Sequence, residues 1–235
     1  MLRQLIDFDT NTYTYLLWDD AAGEALIIDP VKSRVPLYLQ LLNELGLTLR
    51  LAIDTHVHAD HITGMGALRD ATGCTTALGK ETAATCVDQV FEDGDVLRVG
   101  NIHLRALHTP GHTQDSYCFH EAGAGRVFTG DTLLIRGTGR TDFQNGDPAA
   151  QYDSLFGKLL TLPGETIVYP GHDYRGMTHS AIAEEKAFNP RLQVRNREEY
   201  VRLMNALDLP APRYMDVAVP ANLACGESRD AAQQG

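Results

Sequence analysis

The chain reads as an α/β (α+β) protein with a sheet-on-sheet core and helices outside it. Three observations carry this reading. Short apolar, strand-like runs dominate the first part of each half of the chain, and amphipathic helical stretches follow them. No Pro/Ser/Gly-rich linker, low-complexity tract or charge block divides the 235 residues. Hydrophobic residues make up 43% and charged residues 22%, the balance of an ordinary globular chain long enough to bury a sizeable core. The expected organisation is one domain over residues 1–226 and a polar tail over 227–235.

The elements follow in order. Residues 3–8, 13–18 and 24–29 read as antiparallel strands, with Asp19-Asp-Ala-Ala-Gly23 as a turn. Residues 35–45 form a helix, because Leu37, Leu39, Leu41, Leu42 and Leu45 give it a wide apolar face and Gly46 stops it. Residues 49–54 form a buried strand that opens into a His-rich loop. A helix over 62–72, ending at Gly73, places His61 at its start. Strands are expected at 75–78, 96–99, 102–108, 116–120 and 126–129. An amphipathic helix covers 149–161, with Tyr152, Leu155, Phe156, Leu159 and Leu160 on one side. Residues 166–169 are the last core strand. Helices then cover about 176–188 and 197–207, the second with a capping-box start at Asn196-Arg-Glu-Glu199.

Charge and composition exclude some function classes. The formal net charge is −11, which argues against a large nucleic-acid surface, since phosphate binding needs clustered Lys and Arg. No apolar run reaches the length of a membrane span. The N-terminal residues Met1–Asp9 lack the apolar core of a signal peptide, so a cytoplasmic location is expected. Cys74, Cys86, Cys118 and Cys225 form no CxxC pair and no zinc-finger spacing. In a reducing compartment four free, mostly buried thiols are expected, with Cys225 the one candidate exception.

The chemistry concentrates in Thr55-His56-Val57-His58-Ala59-Asp60-His61, which brings three imidazoles and a carboxylate into six consecutive residues. Histidine is the commonest metal ligand, and a neighbouring carboxylate suits a divalent ion. The loop hangs from a strand end, a rigid mount for ligands. Three further candidates each follow an apolar run: His112 in Thr-Pro-Gly-His-Thr, Asp131 in Phe-Thr-Gly-Asp-Thr, and His172 in Tyr-Pro-Gly-His-Asp. His103, His120 and His179 stand alone and read as solvated or backbone-bonded side chains.

THVHADH, TPGHT, GDT and PGH in this order and spacing resemble the metallo-β-lactamase superfamily over nearly the whole chain, roughly residues 1–225. The resemblance implies an αββα sandwich of two similar halves with metal at one edge. It also implies two adjacent metal sites, one of His56, His58 and His112, the other of Asp60, His61 and His172, with Asp131 bridging. Counting ligands alone therefore predicts a two-metal hydrolase.

A second group of residues points elsewhere. Residues 132–144, containing Arg136-Gly-Thr-Gly-Arg-Thr-Asp-Phe-Gln144, resemble the persulfide dioxygenase (sulfur dioxygenase) branch. So do Thr55–Arg69 and Met215–Asn222. The branch commonly has Cys where Thr138 stands. This resemblance implies one Fe(II) per chain, held by His56, His112 and Asp131, with three positions left open as in other facial triads. His58, Asp60, His61 and His172 would then hydrogen-bond ligands or bound water. The implied reaction oxidises glutathione persulfide with O2 and water to sulfite and glutathione. Glutathione carries two carboxylates, and Arg140, Tyr174 and Arg213 are the candidates to grip it. The competing reading is a glyoxalase II-type, two-zinc S-acylglutathione hydrolase. No nucleic-acid or membrane partner is expected, and a homodimer is the working assembly.

Overall fold

The structure is a computed structural model that describes residues 1–210 and 214–226. The chain divides into two compact units. The first comprises Met1–Phe91, Arg98–Ile102 and the described part of Ala211–Gly235; the second comprises Glu92–Leu97 and His103–Pro210.

The first sheet runs β1 (Leu2–Asp7), β2 (Thr12–Asp19), β3 (Glu24–Ile28), β4 (Thr48–Ile53), β5 (Thr75–Gly79) and β6 (Gln89–Phe91), in that spatial order. The first three strands are antiparallel, and β3 to β6 are parallel. Period-2 alternation places Leu16 and Trp18 of β2 with Ala25 and Ile27 of β3 in one cluster. Tyr38, Leu41 and Leu42 of α1 (Val35–Leu45) and Met65 and Leu68 of α2 (Met65–Thr72) complete it. Helix α1 has the expected bounds: Pro36 opens it, and Gly46 closes it in the left-handed region at φ 64°.

The second sheet has the order β12-β11-β10-β9-β8-β7, from β7 (Val96–Val99), β8 (Ile102–His108), β9 (Tyr117–Glu121), β10 (Arg126–Gly130), β11 (Ile167–Pro170) and β12 (Ser180–Ala181). Only β10 and β11 among its registered pairs are parallel. A cluster of Val127, Leu133, Leu155, Val168, Ile182, Tyr200 and Met204 joins this sheet to α3 (Pro148–Gly157), α4 (Ile182–Phe188) and α5 (Arg197–Asn205).

Several expectations need correction. Helix α2 begins at Met65 and not at Ile62, so His61 does not sit at its start. Residues 62–64 are committed elsewhere: Thr63 bridges Val31, and the Gly64 N–H donates to the Pro30 carbonyl at 2.6 Å. The helix expected over 149–161 breaks at Lys158, whose φ of −123° leaves the helical region, and a 3-10 turn follows. The expected helix over 176–188 shrinks to α4, because Ser180 and Ala181 pair with β11. Strand β11 is therefore not the last, and β6 was not anticipated. Nor was α6 (Met215–Asn222), which tolerates Pro220 inside it.

The thiols also differ from expectation. Cys74 and Cys118 are free and buried, but Cys86 and Cys225 form a disulfide with a Cα–Cα distance of 5.8 Å. The pair is 139 residues apart in sequence, a separation from which no spacing rule reads a bond. The tail over 227–235 lies outside the described residues.

Candidate metal centre

In the first unit, β4 delivers the chain into the His-rich loop, and Asp29 fixes how it turns. Asp29 stands just after β3 at φ 52°, a left-handed conformation that Asp tolerates better than most residues. Its carboxylate accepts from the Thr55 N–H at 2.6 Å and from the Thr55 hydroxyl at 3.0 Å. That hydroxyl has one proton, and Asp29 takes it. Oγ1 of Thr55, 3.0 Å from His56 Nδ1, is therefore the acceptor there. The proton of His56 therefore sits on Nδ1, and Nε2 is the ring atom that carries the lone pair.

His58 Nε2 lies 3.1 Å from Asp29 Oδ1, the oxygen that also accepts the Thr55 N–H. Burial is the largest single influence and works against the imidazolium, but the charge and hydrogen bond of Asp29, together with the charges of Asp54 and Asp60, outweigh it and push the His58 pKa up to about 9. Nδ1 of His58 makes no hydrogen bond and stands 3.9 Å from Asp60. Asp60 accepts from Thr12 at 3.0 Å and lies 3.0 Å from His61 Nδ1. The rings of His56 and His58, and of His58 and His61, have centroids 4.2 Å apart. One donor atom each from His58, Asp60 and His61 falls within 4.8 Å of the others. His56, His58 and His61 are 2, 1 and 5% exposed. Burying so many ionisable groups together is costly unless a cation satisfies them. Imidazole with carboxylate is a donor set for iron, zinc or a similar borderline divalent ion. The residues present fit a metal.

The second unit presents the other candidates just after three strands of its sheet. His112 follows β8, Asp131 follows β10, and His172 follows β11. The Arg140 carbonyl lies 2.8 Å from His112 Nδ1. A carbonyl only accepts, so Nδ1 carries the proton and Nε2 carries the lone pair. That Nε2 stands 3.6 Å from one oxygen of Asp131, and His172 Nδ1 is 2.7 Å from the other. Two glycines make room: a Cβ on Gly171 would meet the Asp131 carboxylate at 2.7 Å, and one on Gly139 would meet the His112 ring at 2.8 Å.

The Arg136–Gln144 run thus braces His112, and it is itself braced. The Gly139 N–H donates to the Asp131 carbonyl at 2.6 Å, and Gln151 of α3 donates to the Gly139 carbonyl at 3.1 Å. Tyr200 of α5 donates to Gln151 at 2.8 Å, and burial pushes its pKa up to about 12, so it keeps its proton. The Arg191 guanidinium donates to the Thr138 carbonyl.

The proposed substrate grip is placed unevenly. The Arg140 guanidinium is engaged by Asp142 at 2.7 and 2.8 Å and by the Pro210 carbonyl at 2.6 Å, and it lies 4.5 Å over the Phe143 ring. Tyr174 is 71% exposed, and its ring stacks on His172 at 6.2 Å. Arg213 lies outside the described residues. Sequence reasoning missed Asp29, Thr12 and Asn222. Asn222 Nδ2 donates to the carbonyls of His58 and His61 at 2.8 Å each, and its Oδ1 accepts from the Thr63 N–H at 2.8 Å. The positive φ of Asp29 is a signal only coordinates reveal.

Known proteins align with these features. The family model of the metallo-beta-lactamase superfamily matches residues 8–172. The human protein named persulfide dioxygenase ETHE1, mitochondrial, is 46% identical over 227 residues, covering 96% of this chain and 89% of the human one. The crystal structure of ETHE1 from Myxococcus xanthus superposes with a TM-score of 0.94 at 52% identity, covering 97% of this chain and 100% of that one. A probable hydroxyacylglutathione hydrolase from Schizosaccharomyces pombe is 38% identical over 168 residues, covering 70% of this chain and 64% of that protein. The expected fold class, two mixed sheets with helices as in the metallo-β-lactamases, is borne out.

Proposed function

The chain belongs to the metallo-beta-lactamase superfamily, and within it we propose that it acts as a persulfide dioxygenase, an oxidoreductase that takes a low-molecular-weight persulfide and O2. The observation that carries this reading is the identity to proteins of that name along 96% of the chain. The hydrolase likeness is lower and covers only 70% of it.

The proposed metal is a single Fe(II), held by His56, His112 and Asp131. Bound there, iron would supply redox chemistry and open positions for a sulfur donor and O2. The residues prepare that site in advance. Thr55 and the Arg140 carbonyl hold protons on Nδ1 of His56 and His112, which directs both Nε2 lone pairs outward. His172 Nδ1 lies 2.7 Å from Oδ1 of Asp131, and in this reading Oδ2 would meet the ion. In this reading His58, Asp60, His61 and His172 act as hydrogen-bonding groups. The substrate is glutathione persulfide; with O2 and water it gives sulfite, glutathione and two protons. Tyr174 and Arg213 grip the tripeptide in this reading, and Arg140 braces the loop that carries His112. A cytoplasmic location belongs to the same proposal and is checked by cell fractionation; no helix among the described residues is long and apolar enough to cross a membrane.

The test is oxygen dependence. Iron-loaded protein given glutathione persulfide should consume O2, release sulfite and stop under anaerobic conditions. A two-zinc hydrolase activates water and is indifferent to air. Rapid S-lactoylglutathione hydrolysis without persulfide-dependent oxygen uptake would replace this reading with the hydrolase.

A further inference from the structure

The ligand loop is held from behind by a side chain far along the sequence. Asn222 ends α6 and is 2% exposed. All three of its hydrogen bonds described above reach backbone groups of residues 58–63. Two carbonyls of the His-Asp-His stretch and the first N–H beyond Ile62 therefore share one carboxamide. Those carbonyls lie in the loop between β4 and α2, and the one carboxamide helps to fix the orientation of both.

Helix α6 cannot supply that grip by itself. It spans eight residues, contains Pro220, and leaves Val217 63% exposed. Helices this short are marginal without tertiary anchoring. The anchor lies just beyond it. Cys225 is bonded to Cys86 in the loop between β5 and β6. The Cys225 carbonyl accepts from the Gly66 N–H at 3.1 Å, and Lys32 donates to the Gly226 carbonyl. Cys225 is 0% exposed, whereas Cys86 is half-buried, so a thiol can reach the bond from the Cys86 side.

We propose that Asn222 is a positioning residue for the metal-ligand loop, and that the Cys86–Cys225 disulfide is a thiol-sensitive anchor that keeps it in place. The inference rests on the metal-centre reading above. Its chemistry balances with a low-molecular-weight thiol as reductant. One thiolate attacks Cys86 Sγ, the bond to Cys225 breaks, and Cys225 leaves as a thiolate that takes a proton. A second thiol displaces Cys86, which also ends protonated. Two thiols become one small disulfide, and two electrons enter the protein. Glutathione, the thiol product of the proposed reaction, belongs to this class. Reduction frees the end of α6, loosens Asn222 and weakens the loop's hold on metal.

The experiment follows iron retention in the loaded full chain against a chromogenic Fe(II) chelator, together with the electron paramagnetic resonance spectrum of the iron–nitrosyl adduct. Asn222→Asp preserves size and the acceptor to Thr63 but replaces the one nitrogen that donates both hydrogen bonds by an oxygen that faces both carbonyls. Iron affinity should fall on the order of 10–100-fold, the usual loss for groups that orient ligands, and the nitrosyl spectrum should change. A general loss of stability would lower the melting midpoint and leave the spectrum of the folded fraction unaltered. Protein reduced with a phosphine, and separately Cys86→Ser, should shift iron retention in the same direction as Asn222→Asp. Thiol labelling should find Cys86 and Cys225 blocked before reduction. Wild-type retention and spectrum in Asn222→Asp would overturn the positioning role. Labelled Cys86 and Cys225 before reduction, or unchanged retention in the reduced protein and in Cys86→Ser, would overturn the anchor. Wild-type protein that holds no iron would overturn the metal-centre reading and this inference with it, whereas wild type that holds iron beside an unaffected Asn222→Asp would overturn the inference alone.

Discussion

Gly139 occupies a position where a single methyl group decides the geometry of a ligand. A Cβ there would strike the Asp131 carbonyl and approach Cγ and Nδ1 of the His112 ring at 2.8 Å. Neither can yield cheaply, because the carbonyl accepts the Gly139 N–H and Nδ1 is bound to the Arg140 carbonyl. Gly139→Ala should therefore rotate His112 away from its Nε2 direction, with about 1–3 kcal/mol of lost stability from overpacking. Metal analysis should find well under one iron per chain in folded protein; full iron content would show that the ring adapts. A matching contrast lies in the first unit. His56→Ala should lose iron, while His58→Ala should keep much of it, because the proposed triad excludes His58; equal loss in both would reassign the ligands. The candidate ligands were legible because each rides a short local motif after a strand. Asp29 and Asn222 were not, because Asp29 acts on Thr55 across 26 residues and Asn222 on His58 across 164. Nothing in local composition marks an Asp or Asn whose partners are that distant.

Helix α3 shows how an element transmits local order to the site. Asp147 is its N-cap, accepting from the N–H groups of Ala149 at 2.7 Å and Ala150 at 3.2 Å, and Pro148 occupies the first turn. One turn on, Gln151 holds the Gly139 carbonyl. Asp147→Ala should cost about 1 kcal/mol, read as a lower urea midpoint at unchanged slope. An unchanged midpoint would mean that packing of Leu155 alone fixes the helix start. Element legibility followed the strength of local signals. Helix α1 carries both an apolar face and a glycine stop, and its bounds were read correctly. Residues 62–64 and 180–181 lie in helix-compatible sequence, yet bridge or strand pairing claims them, which is tertiary structure overriding propensity. Helix α6 was missed because Pro220 argues against a helix and its end is fixed by a disulfide that sequence does not announce.

For the whole molecule, the chain passes between the two units around residues 92, 98, 103 and 211 without any linker, so composition does not mark a division; only the resemblance implied two similar halves. The superfamily, by contrast, was plain from motif order, and so were the strands that precede the candidate ligands. The proposed ligands His56, His112 and Asp131 are far apart in sequence, so in this reading the ion is held by the folded chain and not by a local peptide. A ion bound only by the folded state stabilises it by about 2.7 kcal/mol when free metal is a hundredfold above its dissociation constant. Stripping iron should therefore lower the melting midpoint, and adding Fe(II) under exclusion of air should restore it with one equivalent per chain. His56→Ala in the first unit and His112→Ala in the second should each abolish the iron-dependent part of that shift, while His58→Ala should retain most of it. The controls are the metal-free midpoints, which separate a lost ligand from a damaged core. A stoichiometry of two metals per chain, with His58→Ala as deficient as His56→Ala, would defeat the mononuclear triad and restore the two-metal arrangement that the ligand count alone suggests.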